Sequence, residues 1–472
     1  MITVHNQNRK LFMIGPLSFL VIHFMLMLVF NLQFIYFREE AWQNIPSIEM
    51  ANDPLIRIFL LHSQPPGFNL FLLLVDQFGS NSETIFHLLY ILGTSLCTWM
   101  LSDTVNHWIG NRKLAISAGV CYSILPGTHL YSMWGFNTQL VAMLTMLSVW
   151  SFTLGKSLKS NYYFTVCGFS ILMIFLVRPT FIWLVAVFYL GVLLLSMGKS
   201  RNNNKIKFLA VNSLFILVII FLTVKNMLLF GISSQSSWAS ESFAKMLIYS
   251  ISPQEAKSMS KKRPCYKELL DVGVFQDVRN YPICTSQPVK SYLTPPDNLI
   301  LDNYAFNNGL LNYNHKSRLT LESQWKDFSY DLVSLNPKIL FRGLFPSFAQ
   351  ERRGSLVQYL WPNIDFKFIE PNTTKLGLFG ISWLILLSPL PILNISVIIL
   401  FIYLIIRKNI IRDYLSSGLA FALSMIVFFS MAYIFFEIGE NQRYRTEIEP
   451  IFIACSITSI YKIISIYNIR KV

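Results

Sequence analysis

The sequence predicts an all-α polytopic membrane protein, and three observations predict it. Of 472 residues, 53% are hydrophobic and only 14% charged, whereas soluble domains carry roughly 25% charged residues. Apolar runs near the length needed to cross a hydrocarbon core recur about ten times. Lys and Arg fall in short clusters between those runs, so the formal net charge of +14 orients spans and argues against nucleic-acid binding. The mean hydropathy is +0.47.

Met1 to Lys10 is polar and ends in Arg9-Lys10. The apolar Leu11 to Phe37 is too long for a signal-peptide core and lacks a small-residue cleavage site, so it is expected to stay as the first span. Further spans are expected at Ile85 to Val105, Leu114 to Tyr131, Leu140 to Leu154, Tyr162 to Val177, Thr180 to Met197, Ile206 to Phe230, Leu376 to Ile406, Tyr414 to Phe436 and Ile448 to Ile466. Pro66 to Phe78 is apolar over too short a run to cross, and reads as a re-entrant or interfacial helix. Leu376 to Ile406 contains Pro389 and Pro391, and reads either as one kinked span or as a surface helix feeding a span.

With the N-terminus cytoplasmic and the Pro-Pro helix turning back, the cytoplasmic connections carry Arg112-Lys113, Lys156 and Lys159, then Lys199, Arg201, Lys205 and Lys207, then Arg407, Lys408 and Arg412, and last Arg470-Lys471. If that helix crossed, every later cluster would face outward against the positive-inside rule. Both termini are therefore expected inside. Four features fall on the outer face: the interfacial first loop (the stretch Tyr36 to Phe71, with the outer loop as a whole taken over 38–84), the Tyr131 to Asn137 turn, the Gly231 to Lys375 segment and the Glu437 to Glu447 loop.

Three regions result: a transmembrane module over 1–230, an extracytoplasmic domain over 231–375, and C-terminal spans over 376–472. The middle region has too many aromatics for a disordered linker, so one small, mainly helical domain is expected. Ile339 to Phe348 reads as an amphipathic helix lying against the membrane. Cys265 and Cys284 are the only cysteines outside the spans. On an oxidising face they form either a disulfide or two free thiols. No internal repeat is visible, against an inverted-repeat transporter.

No phosphate loop, dinucleotide fingerprint or paired-cysteine metal spacing is present. Ionisable groups instead gather on the predicted outer face. Glu39, Glu40 and Asp53 stand in the first loop with His62 and Gln64; Arg178 and Lys225 close two spans; Trp238 and His315 lie in the long segment; Asn441, Arg443 and Arg445 precede the last span. Carboxylates facing fixed cations suit a reaction that deprotonates an acceptor hydroxyl while a phosphate leaves. Duller readings stand beside this one. Glu39 and Glu40 would end the first span, His62 would bond a carbonyl, and Lys225 would snorkel. Arg443 and Arg445 break the positive-inside pattern, and Arg suits bidentate phosphate contacts.

His62-Ser63-Gln64-Pro65-Pro66-Gly67-Phe68-Asn69, Lys225-Asn226 with Ser236-Ser237-Trp238, Asn312-Tyr313-Asn314-His315 and Glu440-Asn441-Gln442-Arg443-Tyr444-Arg445 leading into Glu449-Pro450 together resemble the GT-C superfamily of membrane glycosyltransferases. Within it, the layout is similar to bacterial members of the protein O-mannosyltransferase and lipid A aminoarabinose transferase group, and to largely uncharacterised GT-C-like proteins. The resemblance implies transfer of a sugar from a polyprenyl-phosphate donor to a lipid, glycan or protein acceptor outside a bacterial inner membrane, in some relatives with a divalent metal (Mg or Mn). Those families usually place an Asp soon after the first span, where this chain has Glu39-Glu40, so Glu39, Glu40 and Asp53 compete for the role of base. A flippase of lipid-linked sugars and a surface-polysaccharide polymerase or ligase are the alternative functions.

Overall fold

The computed structural model describes residues 10–39, 44–51, 53–178, 203–284, 291–344, 355–360, 366–387, 389–408, 410–411, 415–436 and 441–468. The span expected at Thr180 to Met197 lies outside the described residues, as do Glu40 and the basic Lys199, Arg201 and Arg412. Among the described residues the fold is all-α. Its only β features there are two isolated bridges, Ile35 to Trp134 and Ala305 to Leu311.

Among the described residues, six helices are long and apolar enough to cross a membrane: Gly79–Ile109, Asn137–Leu158, Ser213–Phe230, Leu390–Arg407, Ser417–Ile434 and Glu449–Asn468. Shorter apolar helices lie at Ile14–Phe30, Gly67–Asp76 and Asn161–Val177. The difference from the expected ten has local causes. Helix α1 (Ile14–Phe30) ends at Asn31, which takes φ 50, and the chain then runs extended towards Phe37. After α2 (Ser47–Met50), α3 (Pro54–Phe59), α4 (Gly67–Asp76) and α5 (Ser82–Ile109), the run from Leu114 to Tyr131 divides into α6 (Arg112–Ser123) and α7 (Pro126–Ser132). Pro126 cannot donate to the preceding turn and forces Leu125 into an extended conformation. Helices α8 (Asn137–Leu158), α9 (Asn161–Val177) and α10 (Asn203–Phe230) follow as expected.

The ten-residue α4 is about 15 Å long at 1.5 Å per residue, half of what a crossing needs. It packs against the end of α9 so closely that a Cβ on Gly67 would lie 2.6 Å from the Leu176 carbonyl oxygen. Small residues also let α1, α5 and α6 meet: a Cβ on Gly15 would stand 3.2 Å from the Gly119 Cα. Polar side chains between helices find partners there. Gln139 donates to Thr94 Oγ1 at 2.8 Å, and the Trp150 indole donates to Asp103 Oδ2 at 2.9 Å.

The loop domain holds α11 (Ala239–Ser250), α12 (Pro253–Lys262), α13 (Cys265–Val272) and α14 (Ser317–Leu335). Its core is Trp325, Phe328, Leu332, Tyr266, Met246 and Ile339. Ser252 and Glu255 form a capping box on α12. Cys265 and Cys284 are joined as a disulfide, with Cα atoms 5.5 Å apart. Glu322 accepts from the Ser240 amide at 3.0 and 3.1 Å, and burial pushes its carboxyl up to about 8. Of the helix expected at Ile339 to Phe348, the described part is the single turn Ile339–Arg342, whose Ile339 points into the domain core. Residues 345–348 lie outside the described residues.

Beyond the domain, α15 (Phe366–Leu387) begins ahead of the expected boundary at 375 and is separated at Pro389 from α16 (Leu390–Arg407), so Leu376 to Ile406 is two helices. Helices α17 (Ser417–Phe436), α18 (Asn441–Thr446) and α19 (Glu449–Asn468) complete the chain. The start of α17 joins the ends of α5 and α8 at the end of the bundle that carries the basic connections. There the Trp108 indole donates to Thr153 Oγ1 at 3.2 Å, and a Cβ on Gly418 would touch both side chains.

Candidate functional site

The opposite end of the bundle is built on a two-stranded contact. The Ile35 amide donates to the Met133 carbonyl at 2.7 Å and the Gly135 amide to the Ile35 carbonyl at 2.8 Å. This fixes the extended exit of α1 beside the turn between α7 and α8, and it stacks Trp134 on Phe136 with ring centroids 4.6 Å apart. Phe37 packs on Trp134 from the first loop.

On this platform sits Arg443, with its guanidinium carbon 5.2 Å from the Phe136 ring and 5.8 Å from the Trp134 ring. It donates to the Tyr444 hydroxyl at 2.6 Å. The Tyr444 ring in turn carries Arg178 at 4.4 Å and stacks on Tyr433 at 4.6 Å. Arg178 pairs with Glu447 at 2.9 Å, and Tyr433 donates to the same carboxylate. Arg445 pairs with Glu449 at 2.9 Å and lies 3.7 Å over the Phe452 ring. Three guanidinium groups from two distant segments thus lie buried on aromatic faces, Arg178 and Arg443 sharing the Tyr444 ring and Arg445 resting on Phe452. Aromatic faces and carboxylates together offset the cost of holding these cations away from water. Asn441 is in α18 beside them; its side chain lies outside the described residues.

The first loop contributes differently. Arg38, buried, donates to the Ile45 carbonyl and to Asp76 Oδ2 at 2.8 Å. The Glu39 carboxylate accepts from the Ser47 amide at 2.9 Å and so caps α2, while its main-chain oxygen receives the Asn308 side chain at 2.9 Å. Asp53 is exposed and takes φ 48 just before α3. Glu49 is buried in a 2.6 Å pair with Arg57.

His62 and Lys225 join the loops to one another. The Asn314 carbonyl can only accept, so His62 Nε2 donates to it at 2.8 Å, which leaves Nδ1 to accept from the Ser237 hydroxyl at 2.9 Å. Burial lowers the imidazole to about 3, so it is neutral near pH 7. A Ser-His pair of this geometry serves as a nucleophile and base in other settings, but here both side chains are closed off from solvent. The pair is a latch between the first loop and the loop domain, strengthened by the Ser236 hydroxyl on the Ser63 carbonyl. Lys225 donates to the Phe59 and Leu61 carbonyls at 3.0 and 2.7 Å, closing the C-terminus of α3. Gln64 is buried beside the latch. Trp238 meets Tyr313 and Phe275 edge-on, and His315 stacks on Tyr304 at 3.9 Å while accepting from the Ser317 amide at 3.1 Å.

Of the sequence-derived candidates, Arg178 and Arg443 meet on the Tyr444 ring, while Arg445 in the same helix as Arg443 is held by Glu449 and Phe452. His62, Lys225, Trp238 and His315 organise the seam between loops, and Glu39 and Asp53 stand in the first loop at either end of α2. Sequence reasoning missed Asp76, Trp134 and Glu447, because each matters through a partner remote in the chain. It also missed a histidine trio inside the bundle: His23 Nε2 lies 3.3 Å from His87 Nε2, and the His129 ring is 5.7 Å from that of His23. Among the described residues, no group of three or more His, Cys, Asp or Glu side chains is placed to hold a metal ion. Compared with protein-family models, with curated proteins and with solved structures, the chain gives no match in any of the three.

Proposed function

We propose that the protein is a membrane glycosyltransferase that moves a sugar from a polyprenyl-phosphate donor to a lipid, glycan or protein acceptor at the extracytoplasmic face of a bacterial inner membrane. The observation that carries this reading is the meeting of Arg178 and Arg443 on the Tyr444 ring, with Arg445 two residues further on in α18, at the bundle end that also holds the first loop. Guanidinium groups fixed on aromatic faces are suited to a phosphate that gains charge as it leaves. The basic connections at the other end support this orientation, and on this reading about ten spans cross the bilayer, four of them shorter, divided or outside the described residues.

In the reaction, a carboxylate of the first loop takes the proton of an acceptor hydroxyl. The hydroxyl oxygen bonds to the anomeric carbon, and the bond from that carbon to the phosphate oxygen breaks with its electron pair leaving on phosphate. Glu39, Glu40 and Asp53 are the candidate bases. Glu39 is closest in the chain to the Phe37 contact with Trp134. A divalent metal is given no step, since the described residues form no ligand set for one.

The test is reconstitution in vesicles with polyprenyl-phosphate carrying labelled sugars and with envelope extracts as acceptor. Transfer is expected from the wild type and lost in R443A, with both proteins inserted to the same level. Undiminished transfer in E39Q, E40Q and D53N alike would sink the assignment of the base. Labelled lipid crossing the bilayer without any glycosylated product would replace the whole reading with that of a flippase.

A further inference from the structure

Helix α10 is the least covered of the six long apolar helices, with only 22% of its apolar window buried. At 28 residues it is about 42 Å long, well beyond the ~30 Å hydrocarbon core. Two segments grip it short of its C-terminal end at Phe230. Lys225, whose Cα lies about 8 Å inward of Phe230 by helical rise, holds the Phe59 and Leu61 carbonyls with an ammonium 5.5 Å from the Phe230 ring. The Leu228 carbonyl accepts from the amides of both Tyr292 and Leu293, at 3.0 and 2.9 Å.

Both segments carry large exposed apolar side chains near this end of the helix. Leu55 is 68% exposed and Tyr292 75%. Ile48, Ile56, Phe59 and Leu293 are exposed as well, and so are Phe221 and Val224 of α10 itself. Apolar surface continuous with the uncovered side of a spanning helix is solvated by lipid at no cost and by water at a high one. Tyr and the interfacial Lys225 are the residue types that sit at headgroup level.

We propose that Ile48, Leu55, Ile56, Phe59, Tyr292 and Leu293 form a collar around α10 that inserts into the headgroup and acyl boundary of the bilayer. The sequence pointed to the first loop as interfacial; the collar seats the loop domain there too, through Tyr292 and Leu293. The domain is thereby held at the membrane by its own side chains as well as by the covalent chain. The partner is the lipid surface, and the inference is independent of any catalytic activity.

The test is site-directed spin labelling of the full chain in lipid nanodiscs, in a C121S background that removes the exposed free thiol. Labels at L55C, Y292C and L293C are expected to be more accessible to oxygen than to a water-soluble nickel chelate. A label at K257C, on the polar α12, should show the reverse. Greater accessibility of the Tyr292 and Leu293 positions to the chelate would overturn the collar. So would low accessibility to both reagents, because protein and not lipid would then cover the patch.

Discussion

Arg178 and Glu447 form a buried ion pair of 2.9 Å that ties the end of α9 to the segment just before the last helix. Each is charged in a place where water is excluded, so neither is stable without the other. Removing one partner leaves an uncompensated buried charge, at about 3–5 kcal/mol, whereas replacing both with apolar residues of similar size is often close to neutral. R178M and E447L should each lower thermal stability in detergent strongly, and the double variant should recover much of the loss. A double variant no more stable than the singles would show that the two groups do not act as a pair.

The disulfide between Cys265 and Cys284 closes a loop of sequence separation 19 at the edge of the domain core. Loop-closure entropy gives such a link about 3 kcal/mol. C265S/C284S should therefore open the loop domain to limited proteolysis between α13 and the Tyr292 turn, while the transmembrane fragments stay intact. Equal cleavage rates in the wild type and the double variant would show that the link contributes little.

His62 confers a pH dependence whose sign follows from its burial. In the unfolded chain the imidazole takes up a proton near 6.5, and in the fold only near about 3. The unfolded state thus binds more protons across that interval. The stability from His62 is complete above about 6.5 and declines as pH falls towards 3, by up to about 1.4 kcal/mol per pH unit. H62Q removes the titrating group, so its melting temperature should change less between pH 6 and pH 4 than that of the wild type. Parallel curves for the two proteins would rule out the assignment.

Asn372-Thr373-Thr374 fits an N-glycosylation acceptor in the sequence, but the fold uses the asparagine otherwise. Its side chain accepts from the Gln33 amide at 3.1 Å and donates to the Gln33 carbonyl at 2.7 Å, inside helix α15 and almost fully buried. Expression in a glycosylating eukaryotic host should leave Asn372 unmodified, seen as no mass change on glycosidase treatment. N372A should cost about 1–2 kcal/mol, because the Gln33 backbone groups lose their partner.

What the sequence conveyed follows from the range of the forces involved. Long apolar runs and basic clusters are local signals, so most helices and the shortness of α4 were legible. Breaks were less so: Pro126 divides a run that hydropathy alone joins, and Asn31 stops a helix inside an apolar stretch. At the site, Arg443 and Arg445 stood out as basic residues on the wrong side of the charge pattern. Their companions did not. Trp134 becomes a platform only because Ile35 pairs with it, and Glu447 becomes part of the cluster only because Arg178 reaches it from another helix. Lys225 and His62 were noticed as ionisable groups, but their backbone partners Phe59, Leu61 and Asn314 leave no trace in residue type.

Arg443 distinguishes a charge requirement from a shape requirement. Its guanidinium lies against Phe136, Trp134 and Tyr444, and it donates to the Tyr444 hydroxyl. A lysine there keeps the charge but loses the planar stacking and the forked donors. Each aromatic contact is worth about 0.5–2 kcal/mol when desolvated, so R443K should lower stability by about 1–2 kcal/mol. If the cluster holds a leaving phosphate as proposed, R443K should also reduce transfer by about tenfold to a hundredfold, corresponding to the loss of about 1.4–2.8 kcal/mol at the transition state. W134F retains a ring face and should change transfer several-fold less than R443K does. Transfer equal to wild type in R443K, with the protein folded, would show that Arg443 only packs the platform and that the phosphate is held elsewhere.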